Sequence, residues 1–93
     1  FWVYILQCSD NSYYTGHTDN LETRLYQHRN RIFPTCYTAT RLPLKLVYSE
    51  QYPSRIEALS AEKQIQGWSR KKKEALISGD WDKLSYLAQR KKK

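Results

Sequence analysis

The 93-residue chain contains no methionine and only two cysteines. The first absence places the initiating residue ahead of Phe1. The second limits covalent crosslinking to a single disulfide, which excludes a disulfide-stapled secreted scaffold. Cys8 and Cys36 form no CxxC pair, and His17 and His28 are not at zinc-site spacing from them. Two reduced thiols in a cytoplasmic protein are expected, with Cys8 a small buried residue at the end of an apolar run. No apolar stretch approaches the roughly 18–20 residues that a membrane helix needs. Residues 1–8 also lack the basic flank and small-residue cleavage site of a signal peptide.

What is present is one small domain's worth of chain. Hydrophobic residues make up 40% of it and aromatic residues 14%, enough for a modest core and more than a disordered segment carries. A single domain is expected over residues 1–88, followed by a basic tail at 89–93. The formal charge is +7 and is unevenly placed. Residues 1–50 hold five basic and four acidic side chains, residues 51–93 eleven and five. Two clusters account for the excess, Arg70-Lys71-Lys72-Lys73 and Arg90-Lys91-Lys92-Lys93. A basic half of this kind points to a polyanion, most simply nucleic acid. The terminal cluster reads as a solvated tail. The inner one, between Trp68 and an apolar turn, belongs on a folded surface, where it either contacts phosphate or is merely solvated.

Residues 1–6, Phe-Trp-Val-Tyr-Ile-Leu, form a nearly continuous β-forming run, expected to be covered on both faces and central in a sheet. Asp10-Asn11-Ser12 signals a turn and Tyr13-Tyr14-Thr15-Gly16 resumes the β pattern, which makes a hairpin. Asp19, with Glu22 three residues on, is the expected cap of a helix over residues 20–29, whose stripe is Leu21, Arg24, Leu25 and His28. Residues 30–43 show no period, and a loop of that length in so small a domain is more often functional than not. Leu44, Leu46 and Tyr48 alternate with Lys45 and Val47 as a third strand. Ser54 and Glu57 form a capping box for a helix that Gly67 ends near Gln66. Ser69 starts a further helix ended by Gly79, and Asp80 caps a last one bearing Trp81, Leu84 and Leu87. The expected fold is α+β, a small three-stranded and mainly antiparallel sheet flanked by helices, in the order β-β-α-β-α-α-α.

Three features stand out against this frame. At 100° per residue Ala58, Leu59, Ala61 and Ile65 share one arc of their helix, and Glu62 falls inside it. A carboxylate on an apolar face costs several kcal/mol unless compensated. Either a metal ion or a basic partner such as Arg24 would compensate it. Arg24 and His28, four residues apart, aim two basic groups along one helix face. Tyr4 and Tyr14 can meet across the hairpin, as packing residues or as something more.

Together these residues resemble the GIY-YIG nuclease family. Trp2-Val3-Tyr4 stands for its first motif and Tyr14-Thr15-Gly16 for its second. Arg24, His28 and Glu62 follow at the family's spacings. Gly67-Trp68-Ser69-Arg70 with its lysine run is similar to the short bacterial branch. The overall design resembles the amino-terminal cleavage domain of the excinuclease C subunit. Trp2 replaces the family's first glycine, Thr15 its isoleucine, and His17 stands where a lysine is common. No asparagine lies beyond Asn30 to stand in for the one that follows the glutamate in larger members.

The resemblance implies a divalent-metal phosphodiesterase acting on DNA, structure-selective or repair-related. Glu62 would be the sole protein ligand of one Mg2+ or Mn2+ ion. Arg24 would hold the scissile phosphate, one of the two tyrosines, Tyr4 before Tyr14, would act as general base, and the other would position the water or phosphate. A tyrosine pKa near 10 makes it a poor base at neutral pH unless Arg24, the metal, His17 or His28 lowers it. His17 and the 70–73 cluster would contact nucleic acid, and Phe33 and Tyr37 of the loop would stack on unpaired bases. The alternative is a nucleic-acid-binding module with little or no cleavage, and a protein-interaction domain is the third reading. A chain of this size, without attached targeting domains, would be nonspecific, structure-selective, or recruited by a protein partner.

Overall fold

A computed structural model describes residues 1–30, 32 and 37–80. It contains a three-stranded antiparallel sheet and three helices in the order β1 (Trp2–Gln7), β2 (Tyr13–Thr18), α1 (Leu21–Arg29), β3 (Lys45–Gln51), α2 (Arg55–Gln66) and α3 (Arg70–Ser78). A 3-10 turn at Tyr37–Thr40 precedes β3. The expected last helix, the basic tail, Phe33 and Cys36 lie outside the described residues. Among those described, no helix is long and apolar enough to cross a membrane.

The strand order is β2-β1-β3, so the apolar first run is central, as its lack of alternation predicts. Val3, Tyr4, Ile5 and Leu6 are all buried. Their alternation splits the protein in two. Val3 and Ile5 pack with Ala58, Ile65 and Leu76 of the α2–α3 side. Tyr4 points the other way, toward His28 of α1. The register pairs Val3 with His17 and Tyr4 with Gly16, so β2 presents Tyr14 and Gly16 to the α1 side, and Thr15 and His17 to the α2 side.

Asn11, at φ 66°, turns the hairpin, while the backbone N–H of Ser12 donates to Asp10 Oδ1 at 3.0 Å. Arg41 reaches back to this turn, its Nε 3.1 Å from Asp10 Oδ2, and Ser9 N–H donates to the Arg41 carbonyl at 2.9 Å. The segment after the 3-10 turn is thereby fastened to the hairpin.

Two expectations shift by one residue. The cap of α1 is Asn20, not Asp19: Asn20 Oδ1 accepts from Thr23 N–H at 3.1 Å. Thr18 Oγ1 decides the choice by bonding both backbone groups of Asn20, at 3.1 and 3.2 Å, which holds Asn20 extended. In β3, a bulge lies where Ile5 pairs with Tyr48 but Leu6 with Leu46. Leu46 and Tyr48 therefore occupy opposite faces rather than one, and Val47 and Tyr48 both pack on the α2–α3 core.

The remaining caps follow the sequence. Ser54 Oγ accepts from Glu57 N–H and Ser69 Oγ from Lys72 N–H. Gly79 ends α3 at φ 73°, a conformation that a side chain disfavours. Gly67 ends α2 in ordinary right-handed geometry.

Candidate active site

The stripe expected on α1 turns inward. Leu21, Arg24 and Leu25 are half-buried and His28 is only 2% exposed. His28 Nε2 lies 2.9 Å from the Tyr4 hydroxyl, and its Nδ1 lies 2.9 Å from Thr38 Oγ1. Burial, and then the charge of Arg24, lower its pKa from the ordinary 6.5, so the ring is neutral at pH 7. A neutral imidazole has one donor and one acceptor nitrogen. If Tyr4 donates to Nε2, Nδ1–H donates to Thr38; the opposite tautomer reverses both bonds.

Tyr14 completes this group. Its ring centroid is 5.2 Å from that of His28 and 6.3 Å from that of Tyr4. Gly16 makes the arrangement possible. A Cβ at that position would lie 2.6 Å from the Tyr4 hydroxyl oxygen and 3.2 Å from a Tyr14 ring carbon. The glycine of the second motif is thus where the buried tyrosine of the first crosses the neighbouring strand. The pairing of Tyr4 with Tyr14 expected across the hairpin is present, and Arg24 and His28 lie beside it.

Glu62 belongs to a second group on the opposite face of β2. As the helical arc predicts, Ala58 and Ile65 are buried and Glu62 turns partly inward, its side chain 15% exposed. Its hydrogen-bond partner is His17 of β2, with Nδ1 2.7 Å from Oε1, where the helix faces leave open a metal ion or a basic group such as Arg24. Gln66, one turn further on α2, donates from Nε2 to Glu62 Oε2 and to the Thr15 carbonyl, each at 3.2 Å. The carboxylate is therefore oriented from both ends.

Among the described residues no group of three or more His, Cys, Asp and Glu side chains is gathered that could cage a metal. A single oriented carboxylate suits a hard cation that keeps several waters, such as magnesium or manganese. On the same face of β2, the Thr15 Oγ1 is buried with no hydrogen-bond partner among the described residues. It adds an orphaned hydroxyl oxygen to this side of the strand. The donor set fits such an ion.

The basic cluster does not act as one patch. Lys72 is 6% exposed, with Nζ 4.2 Å from the centre of the Trp68 ring. Arg70 lies 4.5 Å over Tyr13 and pairs with Glu74 at 3.2 Å. Lys71 is exposed. Lys73 is half-buried, its pKa lowered by burial and then by Arg70. The outward charge of α3 thus comes from Arg70 and Lys71, with a half-buried Lys73. Sequence reasoning missed Thr38 and Gln66. Gln66 is readable as one turn beyond Glu62, whereas no local pattern marks Thr38.

Comparison with known proteins agrees with these observations. The profile of the GIY-YIG catalytic domain matches residues 1–75. A UPF0213 protein of Staphylococcus haemolyticus is 45% identical over 76 residues, covering 82% of this chain and 92% of its own. One of Streptococcus pneumoniae is 40% identical over 88 residues, covering 92% and 88%. The solution NMR structure of a UPF0213 protein from Bacillus halodurans superposes with a TM-score of 0.55 at 40% identity, over 83% of this chain and 81% of that one. Two tyrosines joined through a buried histidine, a glycine under their crossing and an inward glutamate on α2 are thus set on a shared sequence and fold, and the chain belongs to the nuclease-like GIY-YIG catalytic-domain family, in the small bacterial branch of the UPF0213 proteins.

Proposed function

We propose that the protein is a divalent-metal-dependent endonuclease that cuts DNA phosphodiesters, with branched or nicked forms as its targets. The observation that carries this reading is the group around His28, in which one buried imidazole touches both motif tyrosines one helical turn after Arg24. A hydrophobic domain has no need to bury a histidine bonded at both nitrogens beside an arginine, since a leucine would pack at less cost.

The two groups flank one edge strand, so β2 is the edge along which the substrate backbone would lie. Arg24 would hold the scissile phosphate with paired guanidinium donors and offset the charge that builds up on it. Bound at Glu62, Mg2+ or Mn2+ would supply Lewis acidity toward the phosphate. His17 and Gln66 hold that carboxylate in place, which is the support the missing asparagine would otherwise give. Arg70, Lys71 and Lys73 would follow the backbone further along.

The burial of the tyrosines supports exchanging the roles that the resemblance implies. Tyr4 is 0% exposed and its hydroxyl is engaged by His28, which suits a positioning residue. Tyr14 is half-buried at the mouth of the same group, which suits the general base that takes a proton from the attacking water.

The test is a paired cleavage assay of the wild type and Glu62→Gln on supercoiled plasmid and on a branched duplex. Each is run in magnesium, manganese and EDTA. Cutting that requires both the metal and Glu62 is the expected result. Cutting that survives Glu62→Gln or EDTA refutes the mechanism. Salt-sensitive binding without any cutting would leave the binding-module reading in its place.

A further inference from the structure

We infer that Arg41, Tyr37 and Tyr14 form a stacking platform that receives an unpaired nucleobase beside the cleavage site. The inference rests on the nucleic-acid reading above and specifies which feature of the substrate is recognised.

The three planar groups make a ladder that leads outward from the buried tyrosine–histidine group. Tyr14, in ring contact with His28, stacks on Tyr37 with centroids 6.4 Å apart and planes 21° from parallel. The Arg41 guanidinium carbon lies 3.8 Å above the Tyr37 ring. The ladder ends in solvent, with Tyr37 43% exposed and the Arg41 side chain 33% exposed.

Arg41 is fixed rather than draped. Its Nε donates to Asp10 Oδ2 at 3.1 Å and its Nη1 to the Tyr37 carbonyl at 2.6 Å. An exposed arginine ordinarily keeps its rotamer entropy, and surface pairs of this kind contribute little stability. Here the anchors hold a guanidinium flat over a ring. The outer surface of the ladder is therefore planar and cationic.

A nucleobase is planar, and it arrives with a phosphate on its own backbone. Guanidinium and aromatic planes accept unstacked bases of any sequence, because every base has a π-face. Paired bases inside a duplex offer no such face, so the platform selects for a flap, a gap or a branch point. A base seated there would stack on the outer end of the ladder whose inner end is Tyr14, the residue proposed to act on the attacking water.

The experiment uses the full chain carrying Glu62→Gln, so that the DNA stays intact. Two probes are compared by fluorescence anisotropy: a plain duplex, and the same duplex with a short unpaired flap bearing 2-aminopurine at the junction. The flapped probe is expected to bind about tenfold more tightly, with quenched 2-aminopurine, as base stacking provides. Adding Arg41→Lys keeps the charge and removes the plane, and is expected to abolish both the preference and the quenching while duplex affinity holds. Tyr37→Leu leaves the Arg41–Asp10 pair in place and is expected to do the same. Tyr37→Phe keeps the ring and should keep the preference, with thermal melts confirming that each variant is folded. Equal binding of the two probes by the parent, or a preference that survives both Arg41→Lys and Tyr37→Leu, overturns the platform while leaving DNA binding intact. Failure to bind either probe at low salt overturns the nucleic-acid reading together with it.

Discussion

Replacing Gly16 by alanine isolates the central packing relation of the site. The added methyl would sit 2.6 Å from the Tyr4 hydroxyl oxygen, 2.7 Å from Tyr4 Cζ and 3.2 Å from Tyr14 Cε2. Carbon contacts settle near 3.5–4.0 Å, so the tyrosine must move by about 1 Å. Tyr4 is 0% exposed and its hydroxyl is held by His28, so it cannot move without disturbing the core. Overpacking of this kind costs about 1–3 kcal/mol, and a displaced buried hydrogen bond about 1–3 more. The sum is about 2–6 kcal/mol, and each kcal/mol lowers Tm by about 4–8 °C in a domain of this size. Urea and thermal unfolding of Gly16→Ala measure the loss directly. Tyr4→Phe in the same background removes the 2.6 Å contact but leaves the 2.7 Å one, so it restores part of the loss and no more. The double-mutant cycle should give a coupling of about 1 kcal/mol. A Gly16→Ala protein as stable as the parent would refute the crossing of Tyr4 over β2.

His28 gives a pH signature. Its folded pKa is lowered from 6.5, so between that value and the lowered one the unfolded chain binds the extra proton. Stability therefore falls as pH drops below about 6.5 toward the folded value, and is unaffected by this group above 6.5. Urea midpoints at acidic and neutral pH should show a smaller acid loss in His28→Gln than in the parent. On α3, Lys71→Ala should lower the salt slope of DNA binding by about 0.9, as the loss of one phosphate contact does. Lys72→Met should leave that slope unchanged, because Lys72 is buried against Trp68.

The residues that period and spacing expose are those whose environment is local. The central strand, the inward stripe of α1 and the inward turn of Glu62 follow from side-chain direction along one element. Partners that come from elsewhere in the chain do not. His17 and Glu62 lie 45 residues apart, and helix arithmetic places a basic partner beside Glu62 without saying which strand supplies it. Thr38 reaches His28 from a segment with no period, and its position depends on Arg41 being tied to the hairpin turn. Asp19 and Asn20 are both good capping residues, and the hydroxyl of Thr18 chose between them. The bulge at Val47 reverses one face of β3, and composition carries no trace of it.

The burial of the tyrosine–histidine group bears on how members of this family diverge. Tyr4 and Gly16 pack against each other in the interior, so selection for folding alone is enough to retain them. Glu62 sits at a partly open rim, and glutamine there would cost the fold little. Under the proposed mechanism, a lineage that abandons cleavage is thus free to lose its glutamate long before its buried first-motif tyrosine. In a relative, intact tripeptide motifs testify to an inherited scaffold, and under the proposed mechanism the acid on the second helix is the better witness to cleavage.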